Sequence, residues 1–87
     1  MEFDWVETKR LFNLARYGFD FADVARFDWD AAEIGRDLRF DYGEERCTAY
    51  CIMDGRLMVI LFTRRAAATR VVSFRRANRK ERRIYGP

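Results

Sequence analysis

The sequence contains no histidine, one proline, two cysteines and only two lysines among its seventeen basic residues. Each scarcity closes a class of explanation. Without histidine, a histidine-pair acid/base enzyme is excluded, and Cys47 and Cys51 have no imidazole to complete a zinc site. On one strand the two cysteines lie roughly 13 Å apart at ~3.3 Å per residue, beyond the about 7 Å between Cα atoms that a disulfide allows. They read as reduced core residues of a cytosolic protein. The N-terminus, Met1-Glu2-Phe3-Asp4, is acidic with no apolar run behind it, unlike a signal peptide. The longest apolar run, residues 57–62, is far short of a membrane span.

What is present is apolar, aromatic and arginine-rich. At 49% hydrophobic and 16% aromatic, the 87 residues are too apolar for a disordered segment and fit one small domain, 1–87. The charge is segregated. Residues 64–87 hold nine basic groups and one acidic group, Glu81, a net +8, whereas the first 63 residues carry a net −5. Arginine forks match phosphate and carboxylate geometry, so the basic third expects an anionic partner.

The pattern predicts α+β architecture: two N-terminal helices packed on a small antiparallel sheet of three to four strands, then a short C-terminal helix. Residues 2–5 read as a short edge strand or an ordered lead-in. Asp4 is a candidate N-cap, with Glu7 three residues on, for a helix reaching about Tyr17 and stopped by Gly18. Leu11, Phe12, Leu14 and Ala15 are its expected buried stripe. Asp20 caps a second helix to about Phe27, with Phe21, Val24 and Ala25 inward. Residues 28–45 hold seven acids and two basic residues. Within them residues 34–40 are a candidate strand and Asp41-Tyr42-Gly43 a turn.

The β signal is strongest from residue 46 onward. Residues 46–53 alternate, with Cys47, Ala49, Cys51 and Met53 on one face. Asp54-Gly55 suits a two-residue hairpin, and residues 56–63 return with a run apolar on both faces, as for a central strand. After a loop at 64–68, residues 69–76 form a third strand. Asn78 and Glu81 then make a capping box for the terminal helix. One sheet face is left incompletely covered, which anticipates a partner chain.

Several of these residues carry a resemblance. The run Arg70-Val-Val-Ser73-x-Arg75-x-Ala77-Asn78-x-x-Glu81-Arg82-x-x-Tyr85 resembles the C-terminal signature of BrnT-type toxins, small RelE-like ribonucleases of type II toxin–antitoxin operons. Phe3-x-Trp5, Lys9, Asn13, Gly18, Phe21, Val24, Phe27, Glu45-Arg46 and Asp54-Gly55-Arg56-Leu57 extend it over nearly the whole chain. Two positions depart: Arg16-Tyr17-Gly18 stands where the family often has Lys-His-Gly, and Asn78 where it commonly has Thr. The resemblance implies cleavage of RNA, as mRNA during translation. It also implies a BrnA-type ribbon–helix–helix antitoxin, through which the complex binds operator DNA.

With no histidine and no metal-ligand spacing in the basic half, electrostatic stabilisation of 2′-hydroxyl attack on the adjacent phosphate remains, needing no metal or cofactor. Arg75, at the strand-to-helix junction, is the leading candidate for the phosphate. Arg46 and Arg70, read as opening adjacent strands, are candidates as neighbours or from across the sheet. Glu81 reads as a capping residue or a base. Tyr85, like Tyr50, could stack on a base, donate a proton or simply pack. Arg76, Arg79, Lys80, Arg82 and Arg83 are the expected RNA-binding surface. The rival reading is a non-catalytic nucleic-acid-binding or antitoxin-docking module.

Overall fold

The structure, a computed structural model, describes residues 2–37 and 44–87. The elements run β1 (Phe3–Asp4), α1 (Glu7–Tyr17), a 3-10 helix (Phe21–Arg26), β2 (Glu33–Arg36), β3 (Arg46–Met53), β4 (Arg56–Arg64), β5 (Thr69–Arg76) and α2 (Arg79–Tyr85). The candidate turn Asp41-Tyr42-Gly43 lies outside the described residues, as does the second half of the strand expected at 34–40.

The sheet has five strands in the order β1-β5-β4-β3-β2. It is not purely antiparallel: β1 runs parallel to β5, pairing Phe3 with Thr69 and Asp4 with Arg70. That pairing corrects the role expected of Asp4. Its carboxylate accepts from Arg70 and belongs to the sheet. The N-cap of α1 is Val6, which has no side-chain cap.

The double-sided apolar run of β4 does lie at the centre of the sheet. Asp54 and Gly55 turn the chain between β3 and β4 with φ of 53° and 78°, the left-handed pair that a type I′ hairpin requires. On one face Cys47, Ala49, Cys51, Met58, Ile60, Phe62, Val71 and Phe74 form the main core with Phe21, Val24 and Phe27. Both thiols are free and buried. The spacing Phe21, Val24, Phe27 explains why this short segment is a 3-10 helix rather than an α-helix. Three residues per turn align positions i, i+3 and i+6, and Ala25 is left outside.

The expected buried stripe of α1 is also overturned. Leu11, Phe12, Leu14 and Ala15 are all exposed, and Asn13 is the helix's single buried residue. Asn13 Nδ2 donates to Phe74 O at 2.8 Å and to Phe19 O at 2.9 Å, while Phe74 N donates to Asn13 Oδ1 at 3.1 Å. The helix is therefore held to the outer edge of β5 by a side-chain amide, and the 3-10 helix and Trp29 supply the cover that α1 does not.

A bulge in β5 organises the opposite face. Leu61 pairs with Ser73 and Phe62 with Val71, so Val72 is the extra residue. Arg70 and Arg75 are five apart, and in a regular strand they would point to opposite faces. The bulge re-aims the strand so that both stand on the second face.

Candidate active site

That second face is only partly covered. Leu57 and Val59 pack with Ala77 and part of Tyr50. Beyond them lies an open cavity of about 590 Å³. Its floor is two cross-strand rows: Thr48–Leu61–Ser73, and Tyr50–Val59–Arg75. Glu81 and Tyr85 from α2 form one wall, and Gly35, Arg36 and Asp37 line the opposite side.

Local sequence places these groups. Asn78 accepts from Glu81 N at 2.8 Å, and Glu81 Oε1 accepts from Asn78 N at 2.9 Å. This reciprocal box is the one expected, and it fixes the start of α2. The same carboxylate takes a second load: Arg75 Nη1 and Nη2 donate to Glu81 Oε1 and Oε2 at 2.7 and 2.9 Å. Arg75 Nη1 also donates to Arg76 O at 3.2 Å. At the other end of α2, the Tyr85 ring stacks on Tyr50, with centroids 3.8 Å apart and planes 10° from parallel.

The protonation states follow. Hydrogen bonding from Arg75 holds the Glu81 carboxyl below its usual range, and the backbone N–H of Asn78 adds to this. The same pair raises Arg75. Burial pushes the Tyr50 phenol up to about 12, reinforced by the negative charge of Glu81 and by Tyr85. Near neutral pH the cluster thus presents a fixed guanidinium, a carboxylate that is a weak base and a phenol that keeps its proton.

The other expected arginines lie apart. Arg46 and Arg70 do not start adjacent strands: β4 separates them, and both pair in register with Thr63. Their row is four residues along β4 from that of Arg75, ~13 Å away at ~3.3 Å per residue. Arg70 Nε and Nη2 donate to Asp4 Oδ1 and Oδ2 at 3.0 and 3.2 Å, a bond that raises Arg70 and lowers Asp4. Arg82 turns back to donate to Ala77 O at 2.8 Å. Arg76, Arg79, Lys80 and Arg83 are exposed, and among the described residues none makes an ion pair.

Thr48 lines the cavity without standing out in the sequence, because a small hydroxyl on a strand carries no pattern of its own, and Ser73, part of the C-terminal signature, lines it too although the signature alone assigns it no role. Tyr50 shares its strand face with Arg46, which was the available signal. The described residues contain no group of three or more His, Cys, Asp or Glu able to hold a metal ion. They also contain no helix long and apolar enough to cross a membrane.

A small α+β domain with one packed sheet face, and a second face holding guanidinium, carboxylate and phenol beside a cation-bearing helix, has the surface of a protein that handles a polyanion. The model of the BrnT family, described as the ribonuclease toxin of a type II toxin–antitoxin system, matches residues 5–81, and the chain belongs to that family. It is similar to the crystal structure of the Brucella abortus ribonuclease toxin BrnT, with a TM-score of 0.73 and 29% identity over 91% of this chain and 99% of that one. No curated protein matches the sequence.

Proposed function

We propose that this toxin is a metal-independent endoribonuclease that cuts mRNA in the RelE manner, arrests translation in the cytoplasm and is neutralised by a BrnA-type ribbon–helix–helix antitoxin. The complex with that antitoxin binds operator DNA. The observation that carries the catalytic part is the Arg75–Glu81–Tyr50–Tyr85 cluster on the open sheet face. In-line attack of a 2′-hydroxyl puts extra negative charge on the phosphate. Arg75, held on a rigid strand by two hydrogen bonds, is a preorganised donor for that charge.

Glu81 is a poor base in this setting, and its role is to hold Arg75. In this reading the protonated Tyr50, with Tyr85 stacked over it, donates to the departing oxygen, and the proton of the attacking 2′-hydroxyl passes to water. Arg46 and Arg70 bind the chain further along, and Arg76, Arg79, Lys80, Arg82 and Arg83 bind RNA backbone. Cleavage leaves a cyclic phosphate and a 5′-hydroxyl.

Purified protein is mixed with RNA in EDTA, with and without ribosomes, and the ends are mapped. Arg75→Ala should lower cleavage about 10²–10³-fold with the fold intact, and Arg75→Lys should rescue poorly because a point charge cannot replace the fork. A second reading, a non-catalytic binding module, draws on the engagement of both Arg75 Nη atoms by Glu81. It replaces the first if RNA is bound and released by salt but never cut.

A further inference from the structure

Among the described residues, helix α1 carries a concentration of exposed apolar side chains. Phe12 is 68% exposed and Leu11 52%, with Leu14 and Tyr17 also outside. Lys9 and Arg16 sit one turn to either side of Phe12, on its face of the helix. The helix's acid, Glu7, is held by Arg10 at 2.7 Å. The ridge is therefore apolar and cationic. It borders a groove of about 290 Å³ lined by Thr8, Lys9, Phe12, Tyr17, Val72 and Ser73. Ser73 also lines the cavity that holds Arg75, so the two depressions adjoin.

We infer that the α1 ridge and its groove are the docking surface of the antitoxin, through a segment whose apolar side chains are bracketed by acidic ones. The inference rests on the toxin–antitoxin reading and assigns its partner a place. Charge complementarity selects the occupant. A second copy of this chain meeting α1 isologously about Phe12 would set Lys9 of one copy against Arg16 of the other, a like-charge contact. RNA would satisfy the two cations and can stack a base on Phe12, but it gains nothing from the exposed aliphatic Leu11 on the same ridge. An acidic, apolar segment satisfies both, and from the shared Ser73 it reaches the edge of the catalytic cavity.

The test uses the toxin and a purified BrnA-type ribbon–helix–helix antitoxin, its proposed partner, with binding measured by calorimetry and RNA cleavage measured on the same samples. Phe12→Asp, and separately the pair Lys9→Glu with Arg16→Glu, should each weaken antitoxin binding about 30-fold or more, as loss of an anchoring residue does. Cleavage by the free toxin should be unchanged. Phe12→Ser serves if the aspartate variant does not fold. Three results overturn the inference: antitoxin affinity unchanged in folded variants, an altered oligomeric state of the free toxin, or a parallel loss of RNA binding. If the parent toxin neither cuts RNA nor binds the antitoxin, it is the toxin reading that fails. If the parent does both and every variant matches it, the ridge assignment alone is lost.

Discussion

Beyond Arg70, strand β5 has no strand on its outer side, because β1 ends at Asp4. The Phe74 N–H and C=O face that edge, and the Asn13 carboxamide pairs with both as a neighbouring peptide group would. Its remaining Nδ2 bond goes to Phe19 O, so one buried side chain fastens α1 and the turn after it to the strand that carries Arg75. Removing such a group strands several buried partners, and each costs about 1–3 kcal/mol. Asn13→Ala should therefore lose about 3 kcal/mol in urea unfolding. Asn13→Asp should lose as much, because a carboxylate cannot donate to Phe74 O or Phe19 O. A loss under about 1 kcal/mol for both would mean that the edge is repaired by water and that α1 does not depend on this amide. In the sequence Asn13 stands among the residues that carry the family resemblance, but nothing local shows that its partner is 61 residues away.

At the scale of elements, legibility followed locality. Strands β3 and β5, the Asp54-Gly55 hairpin and the capping box of α2 were all readable, because each is decided by residues a few positions apart. For β1 the edge strand at residues 2–5 was one of two readings, but its parallel pairing was not readable, since its partners lie at the other end of the chain. The apolar residues of α1 were expected inward by the usual rule, but the 3-10 helix and Trp29 had already filled the core. The bulge at Val72 left no mark on the sequence, and it is the bulge that places Arg70 and Arg75 on one face.

Helix α2 illustrates what such local control implies. None of its seven residues is buried, so its position depends on the capping box, the Arg75–Glu81 pair and the Tyr50–Tyr85 stack. Because the Glu81 pKa is lowered on folding, its contribution to stability is complete above the ordinary carboxyl range and is lost as pH falls through the depressed value. Glu81→Gln should flatten that part of the acid-unfolding profile, and Asn78→Ala should cost about 1 kcal/mol without changing its pH dependence. Identical acid profiles for the parent and Glu81→Gln would show that the pair does not hold α2 in solution.

For the whole molecule, the charge asymmetry resolves into compensated and uncompensated parts. Of the nine cations from Arg64 onward, Arg65, Arg70 and Arg75 are matched by Glu44, Asp4 and Glu81. The other six, Arg64, Arg76, Arg79, Lys80, Arg82 and Arg83, have no carboxylate partner among the described residues, and all but Arg64 lie in α2 or at the strand end that leads into it. The net +8 read from the sequence thus overstates how diffuse the binding surface is: the available charge is local. Counterion release makes this measurable, because each neutralised phosphate contributes about 0.7 to the slope of log affinity against log salt for a single strand. Arg79→Ala and Arg83→Ala should each lower that slope by about 0.7, and the double variant by about 1.4. Arg26, on the 3-10 helix and paired with Asp54 at 2.8 Å, is the control. Its alanine variant should leave the slope unchanged although it removes the same formal charge. Equal slope changes for Arg26→Ala and Arg83→Ala would mean that RNA senses only the net charge of the molecule, and the α2 surface would lose its place as the binding track.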